Sequence, residues 1–458
     1  MATATASKIH LVPELLNKAT FSVPGVSKES AETTNRLLQE NHEKYHIFFN
    51  QSGFHNHIAH HLLTIYALGA SPSELKKAYD NNASYQRPPV ALEPAVVADM
   101  HVPERYKSYL GDEKYYHDFL VYFKDEIEKK GWQEVVNDYV FKGDERADDM
   151  LVRMFGGFLH PLIHLGFGIE FQQPAIIAEA LAQAAVHGAW MGAFFHGCEA
   201  TTWANSPDRR SEKTIIQLLD EIRGDEKLRE APHWGDGNKI RDGIFQRGKE
   251  EMIRIASQYF AVEEELDKKV AEMVDAVVYY TAAAQHPPSI PKIDFFYMHC
   301  VNSSIFFFSL LSPSQTWLST PAKIRLLEWK VRADLAMYAS RRSPPLLLEE
   351  ITEYIPMNKN PQTKDIDFWA NIFSRARRFE DDGHASKLIR ALAKGENVCV
   401  KFEGREGFVV QGTMWKKVAS MVMDSVEAGG PSWVRGAGFE EAWEEVPLRE
   451  APGDGVRL

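Results

Sequence analysis

FHNHIAHHLLTIYALG, residues 54–69, decides how the chain is read. It reads as an amphipathic or buried helix that stops at Gly69, the residue type that most readily closes a helix in a left-handed conformation. Directly after it, Ser71-Pro72-Ser73-Glu74 carries a capping-box signature with proline in the first turn, opening a second helix through SELKKAYDNNA. Residues 112–130 have acids at their start, lysines at their end and Gly131 beyond, the order that complements a helix dipole.

The same signals predict helices over 30–49, 145–158, 175–195, 212–223, 239–260, 263–284, 322–340, 345–354, 366–379, 384–393 and 415–427. Only residues 398–402 and 407–411 resemble strands, so the fold class is all-α. Irregular segments are expected at 85–105, 202–211, 286–292 and from Gly429 onward. None has the composition of a flexible linker. One large multi-helix domain is therefore expected over residues 26–428, packed around a buried cavity, with loosely held arms at 1–25 and 429–458.

Composition narrows the function. Of 458 residues, 44% are apolar and 25% charged, the balance of a soluble globular protein and not of a disordered one. Lys+Arg number 52 against 64 Asp+Glu, a net charge of −12 that argues against nucleic-acid binding. Cys198, Cys300 and Cys399 lie far apart, which suits a reducing compartment and excludes a disulfide framework. The first residues lack a basic region followed by an apolar run, and no stretch approaches the ~20 apolar residues of a membrane span. The expectation is a cytoplasmic protein with no membrane attachment. Histidine is the unusual entry: the chain has 17, six of them between His42 and His61.

Four stretches carry chemistry. In His55-Asn56-His57-Ile58-Ala59-His60-His61, helical spacing puts His57 on one face with His60 and His61, where imidazoles can converge on one ion. In GGFLHPLIHLG, His160 and His164 stand four apart in an apolar setting and need partners, whether metal, carboxylate or carbonyl. His299, ahead of the apolar IFFFSLL, reads by itself as a structural core histidine. In EDDGHASKLI, Asp381 or Asp382 suits a helix N-cap, and His384 and Lys387 share a face. Lys387 reads as a surface residue or as a partner of Asp381; if buried, it must lose its proton or be carboxylated by CO2 to serve a metal. His187 and His196 read as packing or pocket lining. No GxGxxG after a strand, P-loop, GxSxG, HExxH or CxxC pair occurs, so dinucleotide-fold and serine-hydrolase chemistry are unsupported. Imidazole donors suit Fe, Zn, Cu or Ni.

Taken in order, GFHNHIAHHLLTIYALGAS, HPLIHLGFGIEF and GHASKLIRAL resemble the questin oxidase-like family of fungal aromatic-polyketide pathways, over roughly residues 46–423. The resemblance implies oxidative opening of an anthraquinone-type ring, as a Baeyer–Villiger-like step with NADPH in some members and a non-haem-iron dioxygenase step in others. It implies Fe(2+) held by His57, His160, His299, His384 and a carboxylated Lys387. That leaves roughly one open position of an octahedral shell for O2 and none for 2-oxoglutarate. His55, His60, His61 and His164 match less general positions, and His61 and His164 are the residues expected to act as general acid or base. NADPH or a reductase partner is compatible as an external electron source. The competing readings are an NADPH-consuming monooxygenase without metal, a metal-dependent hydrolase and a non-catalytic helical scaffold.

Overall fold

The computed structural model describes residues 3–205, 213–357 and 367–449. Expectations that fall on 206–212, on Ile366 and beyond residue 449 lie outside the described residues. The fold is all-α, as the sequence predicts. Strand is limited, among the described residues, to a two-residue parallel pairing of Ile293–Asp294 with Trp433–Val434.

Four helices form the centre. Ile58–Ala67 packs against Gly156–Glu170 and His384–Cys399, and Tyr297–Leu310 packs against the same two. Apolar character on all sides explains the burial of Gly156–Glu170 and Tyr297–Leu310, since a helix without a polar face is stable only when enclosed. Pro174–Val186, equally apolar, covers Gly156–Glu170 and is itself backed by Tyr116–Lys130. The capping box predicted at Ser71 is present, with both reciprocal hydrogen bonds, and opens Pro72–Ala83.

Several expected boundaries are corrected. The helix expected over 145–158 ends at Met154, and the next segment leaves at 98° to it. Gly157, Phe158 and Leu159 all take left-handed angles, with φ of 51°, 55° and 70°. Residues 175–195 divide into Pro174–Val186 and Gly192–Asn205, because His187 turns extended. Residues 239–260 divide into Lys239–Ile244, Phe245–Arg247 and Lys249–Ala256. Within 85–105, prolines start the short helices Pro94–Met100 and Pro103–Tyr106. Residues 398–402 continue a helix and tighten into a 3-10 turn, so their β-branched content yields to the helix they extend. Residues 407–411 form no strand; the N–H groups of Val409 and Val410 donate instead to buried Asp275.

The described parts of both arms expected to be loose, residues 3–25 and 429–449, are tied down. Ala6, Ile9, Leu11 and Leu16 are buried, and the N–H groups of Ala6 and Thr20 donate to Glu128 and Glu170 at 2.8 and 2.6 Å. In the C-terminal segment, Trp443 and Val446 are buried. The N–H groups of Gly436 and Ala437 donate to Asp294 at 2.6 and 2.9 Å. No single helix among the described residues is long and apolar enough to cross a membrane.

Candidate metal centre

Each of the four central helices delivers one imidazole from its N-terminal end. His57 is the N-cap of Ile58–Ala67, His299 lies in the first turn of Tyr297–Leu310, and His384 is the first residue of His384–Cys399. His160 follows the left-handed stretch, at the start of the right-handed part of its helix. Pro161 falls in that first turn, where its missing N–H costs nothing.

The four rings close a circuit. Centroids of His57 and His160 are 4.9 Å apart, of His160 and His299 4.9 Å, of His299 and His384 5.2 Å, and of His384 and His57 4.7 Å. Residues separated by more than 300 positions of chain thus meet in one buried cluster.

Each ring is held by its Nδ1. His57 donates to Asp382 Oδ2 at 2.7 Å, and His384 donates to Asp382 Oδ1. His160 donates to the Gly157 carbonyl at 2.5 Å, and His299 to the Phe295 carbonyl at 2.7 Å. All these partners are acceptors only, so each Nδ1 carries a proton, and in a neutral ring the Nε2 is then left with a free lone pair. The Nε2 atoms of His299 and His384 are buried without a partner. Those of His57 and His160 face each other at 2.7 Å, close enough to share a proton or to serve as two donors to one ion. Burial, with help from the Lys387 charge, pushes His57 down to about 3, and burial with neighbouring imidazoles pushes His160 and His299 well below the usual histidine value. Neutral imidazole is the form a metal binds. His57, Asp382 and His384 also bring one ligand atom each within 4.8 Å of one another. Because Asp382 is already engaged by both Nδ1 protons, we assign it to orienting the rings rather than to the inner donor set.

Lys387 is buried one turn beyond His384. Burial lowers its amine to about 8, against the pull of Asp382 and Asp381, and its charge is felt by His57, His60, His61, His160 and His299. The surface reading of this lysine is therefore corrected. Asp381 and Asp382 divide the work the sequence left open between them. Neither is the N-cap, which is Gly383; Asp381 accepts from Gly383 and Ala385 N–H at 2.7 and 2.9 Å from two residues further out, while Asp382 serves the imidazoles.

A cavity of about 950 Å³ opens on this centre, within the range of small-molecule sites. Phe158, Phe295, Phe296, Trp190 and Trp433 supply aromatic wall, and His57, His160, His384 and Asp382 form its floor. His61 and His164 do not line it, which corrects their assignment as proton donors to substrate. His164 lies behind the centre, bonded to His60 at 3.0 Å and to Glu179 at 2.7 Å, and Glu179 holds His42 at 2.6 Å. His61 faces a different, smaller pocket and packs under Gly383, where a Cβ would fall 2.7 Å from it. The imidazoles on the cavity wall are His55 and His187, with Nε2 atoms 2.9 Å apart; His55 also stacks flat on His160 at 3.9 Å. His187 lines the cavity, one of the two roles its sequence allowed, whereas sequence reasoning passed over Glu179 and the orienting role of Asp382. For Asp382 a signal existed, in its place two residues before His384.

Gly157 makes the turn that aims His160. A Cβ there would lie 2.6 Å from Cε1 of both His55 and His187, at a φ that L side chains rarely adopt. Gly157→Ala is expected to cost about 1–3 kcal/mol in urea unfolding and to weaken metal binding, since the rings must move. An unchanged unfolding midpoint contradicts this account.

The profile of the questin oxidase-like family matches residues 54–392. The chain is 41% identical over 452 residues to a Baeyer-Villiger monooxygenase of Cryptosporiopsis sp., covering 97% of this chain and 99% of that protein. It is 39% identical over 455 residues to the questin oxidase of Aspergillus fumigatus, with 97% and 99% covered. It is 38% identical over 455 residues to a Baeyer-Villiger oxidase of Pestalotiopsis fici, with 98% and 100% covered. An all-helical oxidoreductase with a histidine-lined centre is the class these findings define. The chain belongs to the questin oxidase-like family.

Proposed function

We propose that the chain is an iron-dependent oxygenase that cleaves a carbon–carbon bond in the central ring of an anthraquinone-type aromatic polyketide, of the kind made in fungal secondary metabolism. The observation that carries this reading is the set of four buried, Nδ1-anchored imidazoles beneath an aromatic-walled cavity, in a relative of questin oxidase and Baeyer-Villiger oxidases.

His57, His160, His299 and His384 would hold the iron through Nε2, with Lys387 as a fifth donor once CO2 has converted its amine to a carbamate and a proton has left. A lysine lowered to about 8 keeps a share of neutral amine at physiological pH, the form that attacks CO2. Bound iron supplies the activation of dioxygen. The remaining work belongs to the protein. Phe158, Phe295 and Phe296 fix the plane of a flat aromatic ring system by stacking and edge contacts. Burial of the three floor imidazoles limits the access of water to the reacting carbonyl. His55 and His187 are the imidazoles in reach of a substrate phenol or carbonyl oxygen, and one proton shared between their Nε2 atoms can be given or taken there.

Metal analysis of protein purified without an affinity tag, followed by turnover with isotopically labelled dioxygen, tests the reading. Stoichiometric iron is expected, label from dioxygen in the ring-opened product, and loss of turnover after chelation that NADPH alone does not restore. Full activity of the stripped protein points instead to the metal-free monooxygenase. Label arriving from water points to hydrolysis.

A further inference from the structure

Four charged side chains line the large cavity: Glu113, Arg241, Asp382 and Arg435. Glu113 is paired with Arg87 at 3.2 Å, Arg241 with Asp242 at 2.6 Å, and Asp382 with two imidazoles. Arg435 alone has no carboxylate in ion-pair contact among the described residues. Its guanidinium lies over the Phe295 ring, 4.3 Å from the centroid.

The perch is built, because the backbone on both sides of Arg435 is stitched to the helix that carries His299. Phe295 N–H donates to the Val434 carbonyl at 2.8 Å, and Gly436 and Ala437 N–H donate to Asp294. Asp294 also accepts from Phe296 and Tyr297 N–H at 2.8 and 3.1 Å. The Phe295 carbonyl holds His299, and the Phe295 ring meets the rings of His299 and His384, each at 5.1 Å. The backbone that carries Arg435 is thus fixed at the wall, and its exposed guanidinium rests on the Phe295 ring, one aromatic ring away from the imidazole cluster. An arginine stacked on a ring face keeps its N–H edges free for a planar oxyanion.

We propose that Arg435 is a specificity-determining residue that binds an anionic oxygen of the aromatic ligand, a carboxylate or an ionised phenol, and so sets which end of the ring system faces the histidines. This rests on the reading of the cavity as an aromatic-substrate site and deepens it. The ligand class is an acidic polycyclic aromatic, and a ring-opened product bearing a new carboxylate would compete for the same guanidinium. The C-terminal segment, beyond the span matched by the family profile, then supplies substrate choice to a centre built by residues 54–392.

Calorimetric titration of the full chain with an anthraquinone carboxylate and with the matching uncharged carboxamide tests this. Arg435→Gln is expected to weaken the carboxylate about tenfold or more and to leave the carboxamide within about twofold, with Arg435→Lys in between. Added salt should weaken only the carboxylate, and only in protein that retains a cation at this position. Equal loss of both probes, or loss of neither, overturns the role of Arg435 while leaving the aromatic site standing. Failure of the unmodified protein to bind either probe removes the substrate class itself, and the proposal with it.

Discussion

Asp382→Ala is expected to lower metal affinity about 10- to 100-fold while the chain still folds, the usual consequence of losing the carboxylate that orients ligating histidines. Two rings lose their anchor at once. Without Oδ1 and Oδ2, His57 and His384 can move the proton from Nδ1 to Nε2, and a protonated Nε2 has no lone pair for a metal. The fold should survive because the Asp382 side chain is 28% exposed and water can reach the vacated position. The neighbouring acid provides the control. Asp381→Ala removes the acceptor for Gly383 and Ala385 N–H and should cost about 1 kcal/mol of stability, with metal affinity nearly unchanged. Competition titration against a chelator, beside urea unfolding, reads both quantities. Equal metal affinity in Asp382→Ala and the unmodified protein would falsify the orienting role.

These adjacent acids also mark how far the sequence carries. An acid serving the helix start ahead of His384 is legible from local chemistry, but which of two consecutive carboxylates turns inward depends on His57, more than 300 positions away. The helix Ile58–Ala67 is legible because a glycine and a capping box bracket its end. Gly156–Glu170 and Tyr297–Leu310 are not, because a helix apolar all round lacks the 3.6-residue alternation of faces and resembles any short apolar run. These two carry His160 and His299, so residue chemistry alone leaves His160 open between ligand and core pair and reads His299 as structural, and the family resemblance supplies the rest. Three consecutive left-handed residues, two of them Phe158 and Leu159, run against local preference and are sustained by packing around the cavity. Placement of His55 and His187, rather than His61 and His164, on the cavity wall follows from that turn and has no local signature.

Burial of so many neutral imidazoles has a consequence for stability, and metal-free protein is expected to unfold in mild acid, between about pH 6.5 and 4. His46 and His187 are held down to about 4 and His57 to about 3, each chiefly by burial, with Arg87, Arg153 and Lys387 adding to the effect. The unfolded chain takes up protons near the ordinary histidine value of about 6.5. Between the folded and unfolded values the unfolded state therefore binds more protons, and stability falls as pH falls. Each such histidine removes roughly 1.4 kcal/mol per pH unit in that window. Asp275 works the other way. Burial raises it to about 7, so the folded state binds its proton first and gains stability as pH drops toward the usual carboxylate value. Three histidines against one aspartate leave roughly 3 kcal/mol lost per unit; His55, His60, His160 and His299 add to the loss, and Asp118 and Asp334, also raised by burial, offset part of it. Over two pH units that is comparable with the roughly 5–15 kcal/mol that holds a domain folded. Far-ultraviolet circular dichroism followed through an acid titration reads the transition, and a protein that keeps its urea midpoint from pH 7 to 4.5 would show that these rings are not buried neutral. Bound metal shifts the balance again, because it holds only the unprotonated rings and stabilises the folded chain until protons displace it.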